Sequence, residues 1–104
     1  MSDSLRKAIH TDQAPKAIGP YSQAMEVDGW VYCSGQIPIV PEDGSIAHGI
    51  ENQAHQALKN LGEVLKAAGC GFEDVVKTQV YLSDMSDFEA VNRVYAEFFT
   101  NPFP

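Results

Sequence analysis

Two short polar clusters, Gly19-Pro20-Tyr21-Ser22-Gln23 and Ser34-Gly35-Gln36-Ile37-Pro38, bracket two apolar runs joined by Asp28-Gly29. Asp-Gly between runs rich in Val, Tyr and Trp marks a two-residue hairpin, because a type I′ turn needs positive φ at both central positions. The clusters therefore fall at the outer ends of paired antiparallel strands, close in space. A tyrosine, serine hydroxyls, glutamine amides and glycines gather there with no charged side chain among them. Such a rim suits a small polar ligand whose counter-charge comes from another residue.

The chemistry open to each residue is limited by its neighbours. No Gly-x-Ser-x-Gly elbow is present and no histidine is placed to activate Ser34, so this serine reads as a hydrogen-bonding group and not a nucleophile. Gly35 either closes the strand or lets a ligand approach main-chain N–H groups. Tyr21 is either a strand-end tyrosine with a solvated hydroxyl or a pocket residue. Asn92 stands between Val91 and Tyr95, on the inner side of a second helix, where its amide serves either a structural hydrogen bond or a ligand. His10, His48 and His55 lack the spacing and companions of a metal set, so no metal is expected. Cys33 alternates with Val31 and reads as a small buried hydrophobe, while Cys70, just past Gly69, reads as a hydrophobic contact beyond a helix end.

The elements that must position these groups are legible in the periodicity. Short strands are predicted over Leu5–His10, Gln23–Val27 and Trp30–Ser34, with Val31 and Cys33 on one face and Trp30, Tyr32 and Ser34 on the other. Ile50, Ala54, Ala57, Leu58, Leu61, Leu65 and Ala68 form one face of an amphipathic helix, stopped by Gly69. Val76, Thr78, Val80 and Leu82 alternate with Lys77, Gln79 and Tyr81 as a further strand would. Ser86-Asp87-Phe88-Glu89 fits a capping box opening a second helix with a Phe88, Val91, Tyr95 and Phe98 stripe. A final return strand is called for and not found before Pro104. The chain is accordingly expected to be cut short, with an open, aggregation-prone sheet edge.

Length and charge narrow the function class. The 104 residues make one domain, 1–104. A hydrophobic share of 44% with 20% charged residues is ordinary for a globular protein. The net charge of −7 and the scattering of seven basic residues argue against a nucleic-acid partner, which needs a basic stripe. Two cysteines give no disulfide framework, and neither a leader nor a membrane-spanning run is visible, so a cytoplasmic location is expected.

Three blocks taken together carry a resemblance: Ile18-Gly19-Pro20-Tyr21-Ser22-Gln23-Ala24, Ser34-Gly35-Gln36-Ile37-Pro38 and Val91-Asn92-Arg93-Val94-Tyr95-Ala96-Glu97-Phe98-Phe99. They resemble, in order, the Rid family of reactive-intermediate (enamine/imine) deaminases, the YjgF-type proteins formerly labelled L-PSP endoribonucleases. The resemblance implies an α+β fold, a mixed sheet covered on one face by two helices, similar to chorismate-mutase-like homotrimers with ligand clefts between subunits. It implies hydrolysis of short 2-imino or 2-enamino acids of the 2-aminoacrylate type to 2-keto acids and ammonia, without a cofactor. It assigns Tyr21, Ser34 and Asn92 to the catalytic set and Gly35, Gln36 and Ile37 to substrate binding. It also implies that the carboxylate-binding arginine and the water-activating glutamate follow Pro104, so residues 1–104 alone are expected to be inactive and poorly trimeric. Other readings of the same frame are a non-catalytic module for 2-keto acids or a protein partner, or the ribonuclease or translation inhibitor of the older label.

Overall fold

A computed structural model describes residues 5–104. Three short strands, β1 (Arg6–Ile9), β2 (Ala24–Val27) and β3 (Trp30–Cys33), form an antiparallel sheet in the order β1-β2-β3. The β2–β3 turn forms as its sequence requires, with Asp28 at φ 51° and Gly29 at φ 81°. Its register sets Met25 opposite Tyr32 and Val27 opposite Trp30, and Ala24 opposite Cys33. Ile9 pairs with Ala24 across the other ladder, so Ile9, Ala24 and Val31 point to one face.

That face is covered by α1 (Ile50–Ala67), whose Val64 joins Ile9, Ala14 and Ala24 in the core, with Val31 and Ala68 packed against them. The helix ends as its sequence predicts: Gly69 at φ 83° lets the Cys70 N–H reach the Leu65 carbonyl at 2.9 Å and the Gly69 N–H reach that of Lys66 at 3.0 Å. The second helix, α2 (Phe88–Phe98), buries Val91 and Val94 and lies mainly against α1. A 3₁₀ turn at Phe72–Asp74 inserts Phe72 between the helices, edge-on to Phe98 and Phe99 at ring-centroid distances of 5.4 and 5.2 Å.

Several expectations are corrected. The sheet is antiparallel and not mixed, because residues 76–82 make no ladder pairing among the described residues; an alternating pattern becomes a strand only beside a free edge in register. Its apolar side chains Val76, Val80 and Tyr81 are exposed instead. The sheet is covered chiefly by α1, since α2 stacks mainly on α1. Cys33 is not buried: it shares the face of Ala24 and Val31, but β3 is an edge strand and its last residue lies at the sheet margin, open to solvent. The Ser86–Glu89 capping box does not form. Asp84 instead accepts the Ser86 N–H at 2.9 Å to cap a 3₁₀ turn over Met85–Asp87, and α2 starts from that turn with no side-chain cap. Phe88, placed on the helix stripe, is exposed. Trp30 and Tyr32 lie on the uncovered sheet face, 57% and 62% exposed.

Candidate active site

The hairpin brings the two polar clusters to one end of the sheet, as its turn dictates. Between them opens a cleft of about 370 Å³, lined by Tyr21, Gln23, Gly35, Gln36 and Ile37 together with the 15–18 and 39–44 loops. Four of the six residues singled out in the sequence, Tyr21, Gly35, Gln36 and Ile37, therefore share one cavity. Among the described residues Lys16 is the one charged side chain on its lining.

Each wall is held by a buried amide. On the first, Gln23 is 3% exposed; its Nε2 donates to the carbonyls of Thr11 at 3.1 Å and Pro15 at 2.9 Å, while its Oε1 accepts the Thr11 N–H at 2.7 Å. These bonds fold the 11–15 segment back over β2 and bring the Lys16–Tyr21 stretch to the cavity. The Tyr21 hydroxyl accepts the Ile18 N–H at 3.3 Å, leaving its proton free for another partner, and the ring is half-exposed. On the second wall Pro38 sits in a tight turn closed by the Ile39 N–H on the Ile37 carbonyl at 2.8 Å. The chain then doubles back, with Ile39 bridging Ile46 and the Ala47 N–H bonding the Pro38 carbonyl at 3.0 Å. Asn60 of α1 ties this wall down by donating to the carbonyls of Ile37 at 3.0 Å and Ile39 at 2.9 Å.

Ser34 stands just outside the lining. Its hydroxyl donates to the Ser22 carbonyl at 2.6 Å and its N–H to that of Gln23 at 3.0 Å, so its proton is committed to joining the two clusters. The Gln36 Nε2 donates to the Ser34 carbonyl at 3.2 Å, which folds that amide along the rim.

Asn92 lies elsewhere. It is exposed, not on the inner side of α2, and its amide has no hydrogen-bond partner among the described residues. It lines a second cleft of about 310 Å³ with Thr78, Val80, Leu82, Met85, Phe88, Val91, Tyr95 and Pro104. Within one chain Asn92 and Tyr21 thus border different cavities. There the Tyr95 hydroxyl meets Thr78 Oγ1 at 2.8 Å and donates to the Pro104 carbonyl at 3.1 Å.

Sequence reasoning did not single out Asn60, although an amide at the spacing of an apolar helix face is a signal in itself. It sits three residues after Ala57 and four before Val64, so it had to be buried and therefore bonded. No grouping of His, Cys, Asp and Glu able to hold a metal ion occurs among the described residues. His55 meets Phe98 edge-on at 5.0 Å, and His10 meets Asp12 at 3.0 Å on the surface. No helix among the described residues is long and apolar enough to cross a membrane.

Comparison with known proteins places this arrangement in a family. The chain is 53% identical over 105 aligned positions to a Mus musculus protein named 2-iminobutanoate/2-iminopropanoate deaminase, covering 100% of this chain and 78% of that protein. Among solved structures, RidA from an Antarctic Psychrobacter superposes with a TM-score of 0.91 at 42% identity, over 94% of this chain and 80% of that one. Escherichia coli TdcF, solved with bound serine, superposes with a TM-score of 0.88 at 38% identity, over 93% and 80%. The match to the family described as Endoribonuclease L-PSP runs over residues 11–104, and with these relatives it shows that the chain belongs to that family, the Rid-type proteins its three motifs resemble.

Proposed function

We propose that this protein catalyses the hydrolytic deamination of short 2-imino and 2-enamino acids to 2-keto acids and ammonia, without a cofactor. The observation that carries the reading is the 53% identity, along the whole chain, to a protein named for deaminating 2-iminobutanoate and 2-iminopropanoate. The cleft suits such a substrate in chemistry: apolar walls from Ile37 and Ile39 take a short alkyl group, and Tyr21, Gln36 and exposed main-chain groups offer hydrogen bonds. Water adds to the imine carbon, its proton passes to nitrogen, and the resulting carbinolamine expels ammonia as the C=O bond forms. Tyr21, with an uncommitted proton, orients substrate or water. Ser34 acts by fixing the two clusters, and Gly35, Gln36 and Ile37 line the bound acid.

The reaction further needs a cation for the substrate carboxylate and a carboxyl group to manage protons. The family resemblance assigns these to an arginine and a glutamate following Pro104. A homotrimer with sites between subunits supplies the remaining wall in this reading, and it brings Asn92 of one subunit toward the Tyr21 cleft of another. The uncovered Trp30 and Tyr32 face supports such an assembly. The net charge of −7 argues against carrying the ribonuclease label of the family to this chain.

A second reading, a module that binds amino or keto acids without turnover, is favoured by TdcF having been solved with serine. One assay separates them. A PLP-dependent dehydratase generates 2-aminoacrylate, and keto acid and ammonia release are followed with and without the full-length protein and with chelator. Faster release, unchanged by chelator, is expected. Saturable keto-acid binding without acceleration supports the second reading and refutes the first.

A further inference from the structure

We infer that Asn60 is a positioning residue that sets the Ile37–Ile39 wall of the cleft, an inference resting on the reading of that cleft as the ligand site. The chain buries two polar side chains among its described residues, Gln23 and Asn60, and both are spent on the walls of this one cavity. Asn60 is 1% exposed at the centre of α1, on a helix face where an apolar residue would otherwise pack. Burying an amide is unfavourable unless its bonds are made, and here both its nitrogen and its oxygen have partners. Its two N–H groups serve the carbonyls on either side of Pro38, at 3.0 and 2.9 Å, and its Oδ1 accepts from Gln56 Nε2 at 2.9 Å. Gln56 thus fixes which way the amide points.

The consequence for the site is geometric. Residues 37–47 form no regular ladder beyond the single Ile39–Ile46 bridge; Gln53 of α1 holds the far end of the loop by donating to the Ala47 carbonyl at 3.1 Å, which leaves the Ile37–Ile39 end to Asn60. Asn60 fastens it to the most regular element of the fold. Ile37, whose side chain is half-exposed in the cleft, has its backbone carbonyl held directly by that clamp. The placement of the Ile37–Ile39 main chain, and with it the width of the cleft on that side, therefore depends on Asn60, which itself lies outside the lining.

The test compares Asn60→Asp, which keeps the shape and turns the donors into acceptors facing two carbonyls, with the milder Gln56→Leu, which removes only the orienting bond. Amide hydrogen exchange is mapped along the chain, and turnover of dehydratase-generated imine and affinity for 2-oxobutanoate are measured on the same samples. Exchange over residues 39–47 is expected to rise while β1–β3 and the rest of α1 keep their protection. KM and the 2-oxobutanoate Kd are expected to rise about tenfold in Asn60→Asp, with kcat changed much less. Should Asn60→Asp unfold, Gln56→Leu decides by the same local readout. Unchanged exchange over 39–47 in the folded variants, or a loss of protection spread evenly over the domain, overturns the inference. A full-length wild-type protein that neither binds 2-oxobutanoate nor accelerates imine hydrolysis refutes the functional reading instead, and the exchange map still decides whether the clamp exists.

Discussion

Replacing Gly62 by alanine should weaken this protein, although alanine is the better helix former. Gly62 lies inside α1, where the exchange would gain about 1 kcal/mol of helix propensity in open space. A Cβ there would stand 2.8 Å from Phe72 Cε2 and 2.9 Å from Cζ. Ordinary carbon contacts lie at about 3.5–4.0 Å, so the ring must retreat by at least roughly 0.7 Å. It has little freedom to do so, being edge-on to both Phe98 and Phe99. Overpacking of this kind costs about 1–3 kcal/mol, so the net change is a loss of about 0–2 kcal/mol. For a domain of this size that lowers Tm by several degrees, at about 4–8 °C per kcal/mol. Phe72→Leu deletes the two ring atoms concerned. It should be destabilising by itself, yet in its background Gly62→Ala should become neutral or stabilising by up to about 1 kcal/mol. Urea unfolding of the four proteins, followed by circular dichroism, gives the cycle, with a coupling of at least about 1 kcal/mol expected. A Gly62→Ala protein more stable than wild type, or an equal effect in both backgrounds, refutes the close-approach argument.

Other perturbations separate roles at the site. Tyr21→Phe and Asn92→Ala should each lower turnover while shifting stability by less than about 0.5–1 kcal/mol, since Tyr21 gives up one long hydrogen bond and Asn92 none; unfolding by Asn92→Ala, inseparable from lost activity, would show a structural role. Ser34→Ala should cost about 1 kcal/mol of stability by freeing the Ser22 carbonyl, and should not abolish turnover; complete loss of turnover in a folded protein would reinstate a nucleophilic serine. Cys33 is exposed by surface area, yet desolvation pushes its thiol above the usual range and neighbouring Cys70 pushes it further. Iodoacetamide should therefore modify Cys33 more slowly than a free thiol at pH 8, and its stabilising preference for the protonated form should hold at neutral pH and fade as pH rises through the raised pKa. Faster alkylation than a free thiol contradicts that environment.

Much of this fold is decided locally, by residues whose own conformational preferences leave few choices. Asp28-Gly29 fixes the hairpin because few other residue pairs adopt its φ values, and Gly69 fixes the end of α1 for the same reason. The helix stripe of α1 is legible because burial repeats with the helical period. The nearness of Tyr21 to Gly35, Gln36 and Ile37 follows from the hairpin, since its turn brings both clusters to one end, although the walls that make a cleft there are held by tertiary bonds. Tertiary structure decided the rest. Residues 76–82 have the alternation of a strand, but pairing is a property of two segments, and no partner edge meets them among the described residues. Cys33 has a core-facing position and an edge-strand address, and only the sheet order says which one governs its exposure. Asn92 and Tyr21 belong to one family pattern yet line separate cavities within the chain. Asn60 shows the difference most directly: the sequence places an amide on a packed helix face, and only the fold reveals the two carbonyls, more than twenty residues away, that require it there.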